Sequence, residues 1–188
     1  QLFTDVMLTP QQLMDGETLI ANVDNITIGY KANPAINLTF SATAGSADTT
    51  FTITTAPLMF DMMNNPDAYA QAILGGSDLN NDSATVTGAH DDGEAFQAVY
   101  NGSQVWAKLI DSAVTAGIAD SNSVTDRKPD TGFMTIADSV SEMQSSYKFT
   151  LSANDSANGN SSFTVIPEPA TVALLGIGML AVVRVRRK

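Results

Sequence analysis

Cysteine is absent from the 188 residues. That excludes disulfides, thiolate metal sites and a cysteine nucleophile. Histidine occurs once, at His90. A Ser-His-Asp triad would have to use that one ring, and a catalytic zinc ion, which usually takes two or three imidazoles, would not find them. Bases are scarce, with nine Lys and Arg against twenty Asp and Glu. Residues 1–166 hold nineteen of the acids and five of the bases. The body is therefore near −14 and the remainder near +3. An acidic surface repels phosphates, so no nucleic-acid partner is expected. Long apolar runs are also missing, with one exception at the C-terminal end.

That exception is Ala170 to Val183, fourteen mostly apolar residues without a charge. At about 1.5 Å per residue a helix of that length covers roughly 21 Å, short of the ~20 residues a bilayer core needs. Pro167-Glu168-Pro169 precedes it, and Arg184, Arg186, Arg187 and Lys188 follow it. Long basic side chains snorkel to headgroups and lengthen the effective span. Their position after the run also predicts a cytoplasmic end, with the body outside. By composition alone, a C-terminal helix docked on a core explains the run equally well.

The three parts in this order resemble the C-terminal sorting signal of the PEP-CTERM proteins of biofilm-forming Gram-negative and related bacteria. The resemblance covers residues 165–188. It implies recognition of Pro167, Glu168 and Pro169 by an exosortase, a membrane-embedded enzyme similar to a cysteine transpeptidase. It further implies a membrane stop at Arg184, Arg186, Arg187 and Lys188, and passage through the inner membrane to the cell surface or matrix. The same tail also goes by the name of ice-binding protein C-terminal domain, a label that describes the tail and not an activity. No secretory leader is legible at the start of the sequence, which opens on Gln1. An exported chain with this tail is expected to have had one, removed or omitted.

Residues 1–164 are expected to form one exported domain, large enough for a real core. Ile36, Leu38, Phe40 and Ala42 alternate with Asn37, Thr39 and Ser41. Phe51 and Ile53, then Tyr147, Phe149 and Leu151, and Ile26, Ile28 and Tyr30 repeat the pattern. Period two of this kind marks strands with one wet face. The expected fold is mainly β, an antiparallel β-sandwich with short helices, plus a C-terminal transmembrane helix over 170–183. Thr9-Pro10-Gln11-Gln12 reads as a capping box opening a helix that Asp15-Gly16 ends. Asn65-Pro66 reads as the start of a second, through Leu74 to Gly75-Gly76. Asn101-Gly102 reads as a type I′ turn, with Phe96 facing Ala107, Ala98 facing Val105 and Trp106 on the opposite face. A last hairpin is expected to join Tyr147–Leu151 to Phe163–Ile166 through a solvated loop, 152–162.

Candidate chemistry in the body is sparse. Asp78, Asn80 and Asp82 follow the 1-3-5 spacing of a calcium loop, which lets alternate side chains converge on a hard cation. The pattern departs from an EF-hand at Ser83, where glycine belongs, and at Ala89, where a bidentate glutamate belongs. Asp91, Asp92 and Glu94 are candidate late ligands. Asp and Asn turns also occur without metal. His90 lies among acids in a polar loop, the setting of a solvated ring. Thr49, Thr50, Thr52, Thr54 and Thr55 surround one strand without the repeat an ice-binding face needs, and Thr is a good strand former. Six Asn-x-Ser/Thr sequons, at Asn25, Asn37, Asn81, Asn101, Asn154 and Asn160, fit chance in a chain with 49 Ser, Thr and Asn. No pair of carboxylates stands out for glycoside hydrolysis. The expectation is a non-enzymatic surface or matrix protein, structural or adhesive, with exopolysaccharide among its partners. A secreted polysaccharide hydrolase and a permanently anchored membrane protein are the alternatives.

Overall fold

A computed structural model describes residues 4–8 and 10–168. The expected transmembrane helix 170–183 and the basic end lie outside the described residues. Within them the chain forms fifteen strands and no helix. These are β1 (Thr4–Leu8), β2 (Gln11–Asp15), β3 (Thr18–Lys31), β4 (Ala35–Ala44) and β5 (Thr49–Thr54). β6 (Leu58–Asn64), β7 (Asp67–Ser77), β8 (Ala84–Gly88), β9 (Phe96–Tyr100) and β10 (Gln104–Leu109) follow. β11 (Val114–Ala116), β12 (Ser121–Lys128), β13 (Met134–Thr135), β14 (Ser139–Leu151) and β15 (Ser156–Ile166) complete the order.

Two antiparallel sheets form. The first runs β1-β3-β4-β15-β7-β12, with β2 also on β3 and β13 also on β7. The second is built around β14. One edge of β14 pairs with β9 and then β8, the other with β6 and then β5. The alternating residues legible in the sequence face inward. Ile36, Leu38, Phe40 and Ala42 from the first sheet are buried, as are Tyr147, Phe149 and Leu151 from the second. Phe40 meets Tyr147 edge-on at 5.0 Å between centroids and stacks on Phe149 at 5.4 Å. The Tyr147 hydroxyl crosses the core to the first sheet's backbone, 2.7 Å from the Asn160 carbonyl and 3.0 Å from that of Ile73. Burial holds this phenol's pKa well above its ordinary value.

Both expected short helices are strands instead. Gln11–Asp15 pairs with β3 across a turn at Gly16. Every side chain of β2 is exposed, so a helix there would have had no buried face to stabilise it, whereas the strand gains a ladder. Asp67–Ser77 is β7, paired with β15 and β12. Ala68, Ala70, Ala72 and Leu74 are all fully buried. Their spacing is two, and this sheet position overrides alanine's helix propensity.

The turn at Asn101-Gly102 is present, with φ of 46° and 78°. Its register differs from expectation. Ala107 faces Ala98 and Leu109 faces Phe96, because the loop spans 101–103 and a bulge falls between Val105 and Ala107. The bulge turns Trp106 inward beside Ala107. Trp106 stacks on Phe163 of the opposite sheet at 5.8 Å.

The expected last hairpin does not form. β14 and β15 belong to different sheets, and the chain turns a corner between them at 152–155. The segment read as a solvated loop is the central strand β15, flanked by β4 and β7. Its inward positions are small, at Ala157, Gly159 and Ser161. The Phe40 ring fills the space over Gly159, where an added Cβ would sit 2.2 Å from Cε1. Val165 is fully buried and β15 runs to Ile166.

Candidate functional site

β7 ends at Ser77 and β15 begins at Ser156, and these two residues are paired. Asp78 and Asp155 therefore emerge side by side at one end of the first sheet. Carboxylate oxygens of Asp78, Asp82 and Asp155 lie within 4.8 Å of one another. Asp155 is fully buried and Asp78 nearly so. Two of the sequence candidates, Asp78 and Asp82, are thus brought together, with Asn80 between them. Asp155 was missed, since its only signal is a turn-like Asn154-Asp155 inside a stretch read as solvated loop.

Backbone geometry holds the cluster. Asp78 Oδ1 accepts N–H bonds from Asn80 at 3.1 Å, Asn81 at 2.9 Å and Asp82 at 3.3 Å. Its Oδ2 accepts the Ala119 N–H at 2.6 Å. These bonds, the Ala119 one foremost, hold the Asp78 carboxyl below its ordinary pKa. Asp155 accepts the Leu79 N–H at 3.3 Å and the Ser152 hydroxyl. The Asn80 amide donates to Asp82 at 2.9 Å, while its Oδ1 is buried without a protein partner. Ser83, at the position where a calcium loop carries glycine, takes φ of 86°. The chain makes the left-handed turn without the residue that favours it.

The candidate late ligands go elsewhere. Asp92 pairs with Lys108, and Glu94 is buried and accepts an N–H from Gln97 at 2.7 Å. Neither belongs to the acidic cluster. His90 is half-buried, with Nε2 3.4 Å from the Ser146 carbonyl. The Ser146 hydroxyl is engaged by Thr54 Oγ1 at 2.9 Å. Burial lowers the His90 pKa. The threonine strand is tied to its neighbour as well, with Thr50 and Thr150 hydroxyls 2.8 Å apart across the ladder.

A shallow groove of about 310 Å³ lies beside the acidic end. Gly75, Gly76 and Ser77 form one wall, with Ser121 and Asn122 on the β12 side and Asn158 on β15. The lining is hydroxyls, amides and backbone, with no aromatic ring.

At the opposite end β15 finishes at Ile166, paired with Asp67 at the start of β7. Pro167 and Glu168 follow outside any strand, and Pro169, Arg184, Arg186, Arg187 and Lys188 lie outside the described residues. Residues 165–188 match the family described as the PEP-CTERM protein-sorting motif. The chain carries a PEP-CTERM sorting signal. A PEP-CTERM signal implies export, with membrane passage before processing by an exosortase. No curated protein matches the chain. Among solved structures, it overlaps the enzymatically active domain of tailspike protein 4 from bacteriophage CBA120 at 10% identity and a TM-score of 0.26. That overlap covers 87% of this chain and 19% of the phage chain, and is too loose to define a common fold. Among the described residues, no helix is long and apolar enough to cross a membrane.

Proposed function

We propose that this PEP-CTERM protein is a self-contained surface or matrix domain with a detachable sorting tail, and that the domain acts by binding. The observation carrying this reading is where the fold ends. The central strand β15 closes at Ile166, immediately before Pro167-Glu168-Pro169. Cleavage near the motif would leave every described strand paired. In this reading the segment 170–183 enters the inner membrane, an exosortase cuts near the motif, and the body reaches the surface or matrix. Its role there is structural or adhesive, linked to biofilm. The polar groove at Gly75–Ser77 and Asn158 offers hydroxyl and amide partners suited to exopolysaccharide. Intact-mass spectrometry of the protein from its host, by cell fraction, tests the reading. A body truncated near Pro167–Pro169 in the surface or matrix fraction supports it. A full-length chain confined to the inner membrane makes the tail a permanent anchor and overturns it.

A second reading concerns the acidic end. Asp78, Asp82, Asp155 and the unpartnered Asn80 Oδ1 supply hard oxygen donors of the kind calcium takes. We propose that a calcium ion ties the 78–83 loop to the 152–155 corner. Calcium added to metal-stripped protein should raise the melting temperature, and Asp155→Asn should abolish that rise. An unchanged melting temperature across the titration removes the ion from the account.

A further inference from the structure

The end of the body at which β15 finishes carries large apolar side chains that are exposed among the described residues. Phe133 is 48% exposed, Met134 46% and Met62 68%. Met134 pairs with Ala68 on β7, and Val165 pairs with Ala68 from the other side. Met134 and Val165 are therefore two strand spacings apart, about 10 Å. Phe133 packs edge-on against Tyr69, and the Arg127 guanidinium lies 4.8 Å from the centre of the same ring. Met62 comes from the second sheet but reaches the same end. Asn64 pairs with Ser139, and the Asn65 N–H donates to Asp138 just after β13.

Covalent reach fixes what this end faces. Three residues, 167–169, separate Ile166 from the apolar run that begins at Ala170. The four backbone steps from Ile166 to Ala170, fully extended, span at most about 14 Å. If the run enters a bilayer, this end of the body is held within that distance of the headgroups. A tether that short gives a high effective concentration of one surface for the other. The body's excess of acids, Asp67 and Asp138 among them at this end, offers no attraction to anionic lipid. The contact is accordingly apolar, with Tyr69 and Phe133 in the position aromatic side chains favour at membrane interfaces.

We propose that the end bearing Met62, Phe133 and Met134 rests on the lipid surface while the tail is attached, with the acidic end and the groove pointing away. The proposal rests on the reading that 170–183 enters the membrane. The cysteine-free sequence makes the test direct, because any introduced thiol is a unique labelling site. Full-length chains with Phe133→Cys, Leu79→Cys or Leu174→Cys are labelled with an environment-sensitive fluorophore and reconstituted into phosphatidylcholine vesicles. Leu79 lies in the loop at the acidic end and is 59% exposed. The expected result is a blue shift at 174 and at 133 and none at 79. Met134→Cys should repeat the 133 result and covers a failure of either variant to fold. A shift at 174 with 133 and 134 behaving like 79 overturns the proposal and leaves the sorting reading intact. No shift at 174 overturns both.

Discussion

Gly159 leaves the space that the Phe40 ring fills in the core. The ring lies where a side chain on β15 would be and is braced by Tyr147 and Phe149. Gly159→Ala forces the ring out of that position, and overpacking of this kind costs about 1–3 kcal/mol. Phe40→Leu on the Gly159→Ala background should recover part of the loss, so a urea double-mutant cycle would read non-additive. Additive losses would mean that the two residues are not coupled. His90 gives a pH signature. Its folded pKa is below the ordinary 6.5, so the unfolded chain takes up the proton first as pH falls. Stability from the neutral ring is complete above pH 6.5 and declines as pH drops through the lower folded value. His90→Gln should flatten that part of the stability profile, and an unchanged slope would place the titration elsewhere. Asp78 acts in the same direction further down. Its stabilisation is present above 3.8, the ordinary value, and fades below it.

Elements were legible where side chains alternate in size and polarity. The strands at 36–42, 51–53 and 147–151 could be read because large apolar residues mark their inner faces. β7 and the first half of β15 could not, since their inner faces hold Ala68, Ala70, Ala72, Ala157, Gly159 and Ser161. Small residues suit them because Tyr147 and Trp106 reach across from the other sheet to fill the space. The signal for those strands thus lies in partners far away in sequence. The Asn101-Gly102 hairpin was visible, but not the bulge that rotates Trp106 inward. At the candidate cation site two carboxylates were visible from spacing, while Asp155 depends on the β7–β15 pairing. The loop itself carries a conformational cost at Ser83. Ser83→Gly should stabilise the protein by about 1 kcal/mol, the order of the penalty for a left-handed L-residue. Chemical denaturation measures it, and a loss instead would mean that the serine side chain contributes more than the backbone strain costs.

The whole molecule is polar along its strands. The acidic cluster and groove stand at one end, with Leu79 and Ile118 exposed there, and Pro167-Glu168 with the exposed Phe133 and Met134 at the other. β15 spans eleven residues between them, about 35 Å at strand rise. A chain ending at Glu168 should therefore fold with the same melting temperature as the full-length body. Melting of the two chains in detergent compares them, and a large drop would give the tail a part in the fold. The absence of cysteine leaves the fold without disulfides.

β15 has one further consequence, which concerns time. It separates β4 from β7, so the first sheet cannot assemble before residues 156–166 are available. A chain threaded outward from its N-terminus keeps those strands apart until the last stretch before the sorting motif has crossed. Completion of the fold and emergence of the sorting motif then nearly coincide, and an unfolded chain is what a translocation channel requires. Stalled chains ending at Ser152 should remain protease-sensitive where chains ending at Glu168 resist. Equal resistance would show that the first sheet assembles without its centre.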